Sequence, residues 1–492
     1  MMSRRLLLLV LSLFTFLPHV AYSAEQEEDW QVIYMSNQRV GYGRSKIEKV
    51  MRDNKTIYVT KHEEHLTMKR FGQSIRMDSS SVTEENEDGQ LLSYVWEMKN
   101  PPAQTTRSVG SVLGGKLEVE TTVGGQTSKQ TITLEADVKS SAYQDRLMRS
   151  KQLKSGESLS FKMFSPEFSK TCTIKITADE KHTVKLHDKT ERSLLKMRVA
   201  NSLLPVIEMR MYVDENGDAL RTEAPLLGMV TYSVSRDVAL QEIAGAELDV
   251  AVGTLVKVAN PPATLIKAKK AVLKMTGKEI DLAKEIPNTS TQSVKALSKE
   301  TIEITLTAQS VPRNLVRGPV KEKGYLGETQ FLQAKDRRVV EHAERASAGS
   351  EDPGTIALRM EQYVSEKLTK KNFSTALASA AEVAERLEGD CTEHAVLLAA
   401  MLRAKQIPSR VAVGFVYADR LGAFGGHMWT EAFLNDQWVP LDGTLGLGGI
   451  GASHIKLADS DLGDSGPVPV AAFLPIFNII NNVQIEVVNF ER

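Results

Sequence analysis

From Trp30 to about Gln241, apolar and polar residues alternate in short runs, among them Thr56–Val59, Leu91–Met98, Leu117–Val123, Thr131–Leu134 and Met209–Val213. A period of two is that of a strand with one buried face. Between the runs stand Asp88-Gly89, Gly114-Gly115, Gly124-Gly125 and Asn216-Gly217, pairs that tolerate the positive φ of tight hairpin turns. The pattern predicts an all-β N-terminal half, an antiparallel sheet or sandwich over about 24–260. Asn-Pro-Pro-Ala occurs at 100–103 and again at 260–263, and consecutive prolines cannot sit inside a hydrogen-bonded ladder, so each marks a break. Beyond the second, Ala271–Met275 and Thr301–Leu306 alternate again and predict a small β unit over 261–317.

From about Tyr325 the period becomes 3.6. Ile356, Met360, Tyr363, Val364 and Leu368 fall on one helical stripe, and Leu377, Ala380, Val383 and Leu387 on another. Residues 395–402 are apolar all round, which predicts a helix buried on every side, ended by Ile407-Pro408. Strand patterns follow at Arg410–Tyr417, Met428–Leu434 and Trp438–Leu441, and Val483–Phe490 suits a further edge strand. The stretch 318–492 is therefore expected to be one α+β domain with its helices before its sheet.

The N-terminus changes where this protein is expected to work. Arg4 and Arg5 precede the apolar run Leu6–Leu17, and Ala21 and Ser23 place small residues at the −3 and −1 positions of a cut before Ala24. This is the layout of a secretory signal peptide over 1–23, and it points to the periplasm or the exterior. The alternative is an uncleaved membrane anchor, which the run is short for, since about 20 apolar residues are needed to cross. Cleavage would remove Arg4 and Arg5 and no acid, taking the formal charge from −1 to −3. With 61 Lys and Arg against 62 Asp and Glu there is no excess positive charge to gather phosphates, so nucleic acid is not an expected partner. Hydrophobic residues at 42% and charged residues at 25% are ordinary globular usage. That excludes a disordered or multi-span membrane chain as the description of the whole.

Only two cysteines are present, and in an exported protein a Cys172–Cys391 disulfide must be weighed first. Their settings differ. Cys172 lies in the alternating run 170–176, whereas Cys391 follows Gly389-Asp390 and opens the long apolar helix. A thiol in the first turn of a helix faces unpaired backbone N–H groups that favour its anion. A nucleophilic thiolate also needs a base, and the base needs an acceptor on its other nitrogen. His427, after Gly425-Gly426, is placed to start a strand beyond a flexible turn. Asp442 ends the next strand, and a hairpin would bring its carboxylate beside the imidazole. His394 is a competing base at i+3 from Cys391, but on the same helix it leaves little room for substrate. Glu393 suits the helix start, Trp429 and Trp438 suit core or cleft wall, and no Cys/His cluster has the spacing of zinc ligands.

The linked motifs Gly389-Asp390-Cys391-Thr392-Glu393-His394-Ala395, Leu402-Arg403-Ala404 through Ile407-Pro408-Ser409-Arg410, Gly426-His427-Met428-Trp429-Thr430-Glu431 and Trp438-Val439-Pro440-Leu441-Asp442 resemble the transglutaminase-like superfamily of papain-type cysteine enzymes over about 325–450. The resemblance implies a papain-type α+β domain with Cys391 as nucleophile, His427 as general base and acid, and Asp442 as orienter of the imidazole. It implies attack on an amide, a peptide bond or a glutamine side chain, through a thioester, with a protein or peptide substrate and neither cofactor nor metal. Two positions depart from the family: Gly443 stands where proline is common, and no Trp lies between Trp96 and Trp429 to match the one that transglutaminases place near the oxyanion. Hydrolysis is favoured over cross-linking, since water is always present. A rival from another class is an envelope or extracellular polypeptide-binding scaffold that keeps the fold without the chemistry.

Overall fold

The computed structural model describes residues 26–70, 72–242, 248–249, 255–372, 377–463, 476, 479 and 482–492. The signal peptide expected over 1–23 lies outside them. Among the described residues no helix is long and apolar enough to cross a membrane. The chain divides into two compact units, one holding the elements from Gln26 to Ala239 and the other those from Val256 to Glu491.

The first unit is a 14-stranded antiparallel sheet. Its first strand, Gln26–Met35, lies at the centre, paired with Gln38–Arg52 on one side and with the last strand, Met229–Val234, on the other. On both flanks each strand pairs with its neighbour in sequence, so the sheet is two meanders joined where this unit's first and last strands pair. The turns fall where the sequence places them, with Gly89, Gly115, Gly125 and Gly217 all at positive φ. The helix Tyr143–Lys151 buries Leu147 and Met148, and Met148 packs in one core with Met163, Cys172, Ile174, Ile176 and Met197.

The inward face of this sheet carries polar residues as well as apolar ones. Thr60, His62, Glu64, Ser45, Ser79, Thr83, Ser108 and Thr121 are all buried, and cross-strand pairing sets Ser45 opposite His62 and Glu64 opposite Ser79. Burial pushes the Glu64 carboxyl up to about 8, against the Ser79 hydroxyl. A carboxyl whose folded pKa lies above its unfolded value stabilises below the unfolded value, and that contribution is lost as the pH rises towards 8. The melting temperature of the first unit is therefore expected to fall between pH 5 and 8.5 more steeply in the wild type than in Glu64→Gln. Equal slopes in a calorimetric pH series would contradict this.

The second unit is α+β. Its helices, Arg337–Ser347, Pro353–Lys367, Ala380–Arg386 and Cys391–Ala404, precede most of the strands they pack on. In Cys391–Ala404 every residue from Cys391 to Arg403 is buried, as the all-apolar run requires. The sheet runs in the order Gln292–Ala296, Thr301–Thr307, Lys270–Gly277, Val483–Glu491, Val256–Ala259, Ala423–Leu434, Ser409–Ala418, His454–Ser460, with Gln437–Leu441 hairpinned onto Ala423–Leu434. Three strands of 261–317, Lys270–Gly277, Gln292–Ala296 and Thr301–Thr307, thus continue the sheet that carries His427. Val483–Glu491 is not the edge strand its pattern suits: it pairs antiparallel with Lys270–Gly277 and parallel with Val256–Ala259. Pairing on both sides makes it the join between the two parts of the sheet.

Candidate active site

Cys391 is the first residue of its helix, and the chain before it is built to put it there. Asp390 is the N-cap, its Oδ1 accepting the Thr392 N–H at 3.0 Å, while Glu393 Oε2 accepts the Asp390 N–H at 3.0 Å, a reciprocal capping box. Gly389 has φ +148°, and a Cβ there would meet Glu393 Cβ at 2.5 Å, so only glycine fits the entry. Glu393 is thus the helix-start carboxylate its position suggests.

His427 sits within the strand Ala423–Leu434, opposite Gly414. Gly425 and Gly426 are strand residues in register with Val416 and Phe415, so the flexible turn expected before His427 does not form. The ladder to Ser409–Ala418 claims them, and the imidazole is held by a continuous strand. That strand crosses the start of the Cys391 helix: the Met428 N–H donates to Cys391 Sγ at 3.3 Å and Thr430 Oγ1 donates to the Ala395 carbonyl at 2.9 Å. After a turn at Asn435-Asp436, with φ 49° and 62°, Gln437–Leu441 returns alongside and delivers Asp442, as the hairpin reading requires. His427 Nε2 lies 2.8 Å from Asp442 Oδ2.

Cys391, His427 and Asp442 are therefore brought together, and all three are buried. Burial alone would push the His427 imidazole down, but the Asp442 carboxylate and then Cys391 outweigh it and hold His427 up at about 10. Burial would likewise raise the Asp442 carboxyl, yet His427, and after it His454, hold it well below the usual carboxylate range. Cys172 has no such company. It is buried in the first unit's core, where burial pushes its thiol up to about 12. Both cysteines are free thiols.

The remaining motif residues do structural work. His394 Nδ1 lies 2.5 Å from the Asp390 carbonyl and its Nε2 lies 3.5 Å from Lys371 Nζ; burial first, then Lys371, push it down to about 3, a poor base at neutral pH. Arg410 and Lys456 both pair with Glu431, at 2.8 and 2.7 Å, and the Arg410 guanidinium lies over Trp438 at 4.0 Å from the ring centroid. Trp429 stacks on His427 with 6.2 Å between centroids and meets His454 edge-on at 5.2 Å.

Two residues at the site escaped the sequence reading. His454 Nε2 lies 3.1 Å from the same Asp442 Oδ2 that takes His427. Glu361, fully buried on the helix Pro353–Lys367, accepts the Asp442 N–H at 2.9 Å and the Gly449 N–H at 3.2 Å. Neither lies in the quoted motifs. The ligand atoms of His427, Asp442 and His454 lie within 4.8 Å of one another, a set able to take a divalent cation, but each imidazole already bonds the carboxylate.

The thiol at a helix start, the imidazole on the strand crossing it and the carboxylate on the adjoining hairpin all come from one stretch of the chain. Residues 341–443 match the transglutaminase-like superfamily. That transglutaminase-like stretch contains Cys391, His427 and Asp442 and stops short of His454. Among solved structures the chain is similar to a candidate cysteine protease from Cytophaga hutchinsonii, at 15% identity over 46% of this chain and 85% of that one, TM-score 0.28. It is also similar to the periplasmic domain of TgpA from Pseudomonas aeruginosa bound to ethylmercury, at 13% identity over 39% and 88%, TM-score 0.27. A third is the β-barrel-like protein of a domain of unknown function from Brucella abortus, at 10% identity over 44% and 98%, TM-score 0.31. No curated protein sequence matches the chain.

Proposed function

We propose that the protein is an exported cysteine enzyme that cleaves amide bonds, of a peptide or a glutamine side chain, through a thioester on Cys391. The observation that carries this reading is the His427 ring, bonded through Nε2 to Asp442 at 2.8 Å and raised by the combined charge of Asp442 and Cys391. The basic-then-apolar leader at 1–23 supports export.

In this reading the Cys391 thiolate adds to the amide carbon, and the carbonyl π pair moves to oxygen. The Cys391 backbone N–H, in the first turn of its helix, is the candidate donor to that oxyanion. The intermediate collapses with loss of the C–N bond, and His427 gives its proton to the departing amine. Water then attacks the thioester and passes a proton to His427. The C–S bond breaks, a carboxylic acid leaves and the thiolate returns. An amine in place of water gives transfer instead; hydrolysis is the favoured outcome because water needs no second binding site.

One observation favours the rival scaffold reading: Cys391 and His427 are each only 1% exposed, so substrate reaches sulfur only if the cleft opens. The two readings separate on acyl-enzyme. Protein given a digest of envelope polypeptides and quenched in acid is expected to carry hydroxylamine-labile adducts on the Cys391 peptide, absent in Cys391→Ser, with new amino termini accumulating in the wild type alone. Turnover that survives in Cys391→Ser, or no adduct and no turnover in the wild type, contradicts the enzyme reading.

A further inference from the structure

The Asp442 carboxylate is held by more than the imidazole it is expected to orient. Oδ1 accepts the backbone N–H groups of Thr444 at 2.8 Å and Leu445 at 3.3 Å. Oδ2 accepts from His427 Nε2 at 2.8 Å and from His454 Nε2 at 3.1 Å. The terminal torsion of an aspartate is soft, so fixing Oδ1 alone leaves Oδ2 free to swing. His427 cannot supply the missing anchor, because its own direction is what the carboxylate has to set.

His454 is independent of that circle. It lies on His454–Ser460, paired with the far side of Ser409–Ala418 in the register Val416 opposite His454. Its Nδ1 lies 3.1 Å from Ser453 Oγ, its ring meets the Trp429 edge at 5.2 Å, and it is 3% exposed. A carboxylate only accepts, so His454 carries its proton on Nε2. Burial pushes its pKa down, so it donates as a neutral ring and leaves the positive charge to His427. The other titratable groups around this carboxylate are Glu361, bonded to the Asp442 N–H, and His394 with Lys371 beside it.

We infer that His454 is a positioning residue for the Cys391 site: its Nε2–H on Asp442 Oδ2 fixes the carboxylate so that His427 presents Nδ1 to the sulfur. The inference rests on the triad reading above. An apolar side chain of similar volume would fill the same space and leave Oδ2 with one donor, whereas glutamine places an N–H near the position of Nε2 and asparagine stops short of it.

The test is the rate of Cys391 alkylation by iodoacetamide at pH 6 and pH 10, read by peptide mass, in the wild type and in His454→Gln, His454→Leu and His454→Asn, with melting curves to confirm folding. At pH 10 ionisation of the thiol depends less on its partner than at pH 6, and the four proteins are expected to differ less there than at pH 6. At pH 6, His454→Gln should keep most of the wild-type rate, while His454→Leu and His454→Asn should lose at least about tenfold, the partial loss due when one of two carboxylate anchors goes. Should His454→Leu not fold, the Gln and Asn pair decides, with Asn slower. A folded Leu variant, or an Asn variant, as fast at pH 6 as the wild type overturns the role of His454 and leaves the triad standing. A wild type with no reaction at pH 6 overturns the triad and this inference with it.

Discussion

Asp442→Asn lowers the rate of Cys391 alkylation at pH 6 by roughly 100-fold or more. The carboxylate is the strongest influence holding His427 up at about 10, and without its charge burial prevails and the imidazole falls below its ordinary value. The thiol then loses its cationic partner and ionises on its own account. Even a free thiol, of pKa about 8.5, is thiolate in roughly one sulfur in 300 at pH 6, and burial lowers that fraction further, which sets the least scale of the loss. The amide has one acceptor oxygen for donors on both sides: turned to His427 and His454 it sets its NH2 against the Thr444 and Leu445 N–H groups, and turned to those it sets its NH2 against the imidazoles, so tautomer and direction are disturbed along with the charge. The rate at pH 10 should change less than the rate at pH 6. A pH 6 rate within about threefold of the wild type would show that His427 is held by something else.

The second large effect falls on stability. Arg403, on the buried helix and 1% exposed, donates to the Ser409 carbonyl at 3.1 and 2.8 Å, to Gly327 at 2.6 Å and to Asp461 at 3.3 Å. One planar fork closes three carbonyls from three separate segments. Burial pushes the guanidinium down to about 10, which still leaves it charged at neutral pH. Arg403→Met fills the space but strands those carbonyls where water cannot replace the donor, and each orphan costs about 1–3 kcal/mol. A loss of about 3–5 kcal/mol is expected, or roughly 10 °C in the melting temperature of a unit this size. Lysine, with one compact ammonium, should recover less than half. A calorimetric shift under about 2 °C for Arg403→Met would refute the assignment.

Much of the architecture was legible because the chain states it locally. The turns at Gly114-Gly115 and Gly124-Gly125, the unbroken apolar run 395–402 and the helix start at Cys391 each determine their own geometry within a few residues. The order of Cys391, His427 and Asp442 was legible for a related reason, since a hairpin turn at 435–436 sets Asp442 near His427. What escaped depends on pairing at a distance. Gly425 and Gly426 have the composition of a turn, and only the ladder with Val416 and Phe415 makes them strand. Thr60, His62 and Glu64 face inward, so alternation in β-strands of the first half marks its apolar positions and hides its polar ones. His454 reaches Asp442 through a strand on the other side of Ser409–Ala418, beyond the stretch that matches the family. Nothing near it in sequence announces the contact.

Cys391 is expected to be a thiolate paired with His427, and Cys172 an inert core thiol. This is tested most directly by alkylating unreduced protein from pH 4 to 10 and following both cysteines by peptide mass, in the wild type and in His427→Ala. Cys391 is expected to react well below pH 8.5, His427→Ala to abolish this low-pH reaction, and Cys172, pushed up to about 12, to stay unlabelled until the protein unfolds. Reaction of Cys391 only above pH 8 and equally in both proteins, or the mass of a Cys172–Cys391 disulfide with no labelling, would contradict it.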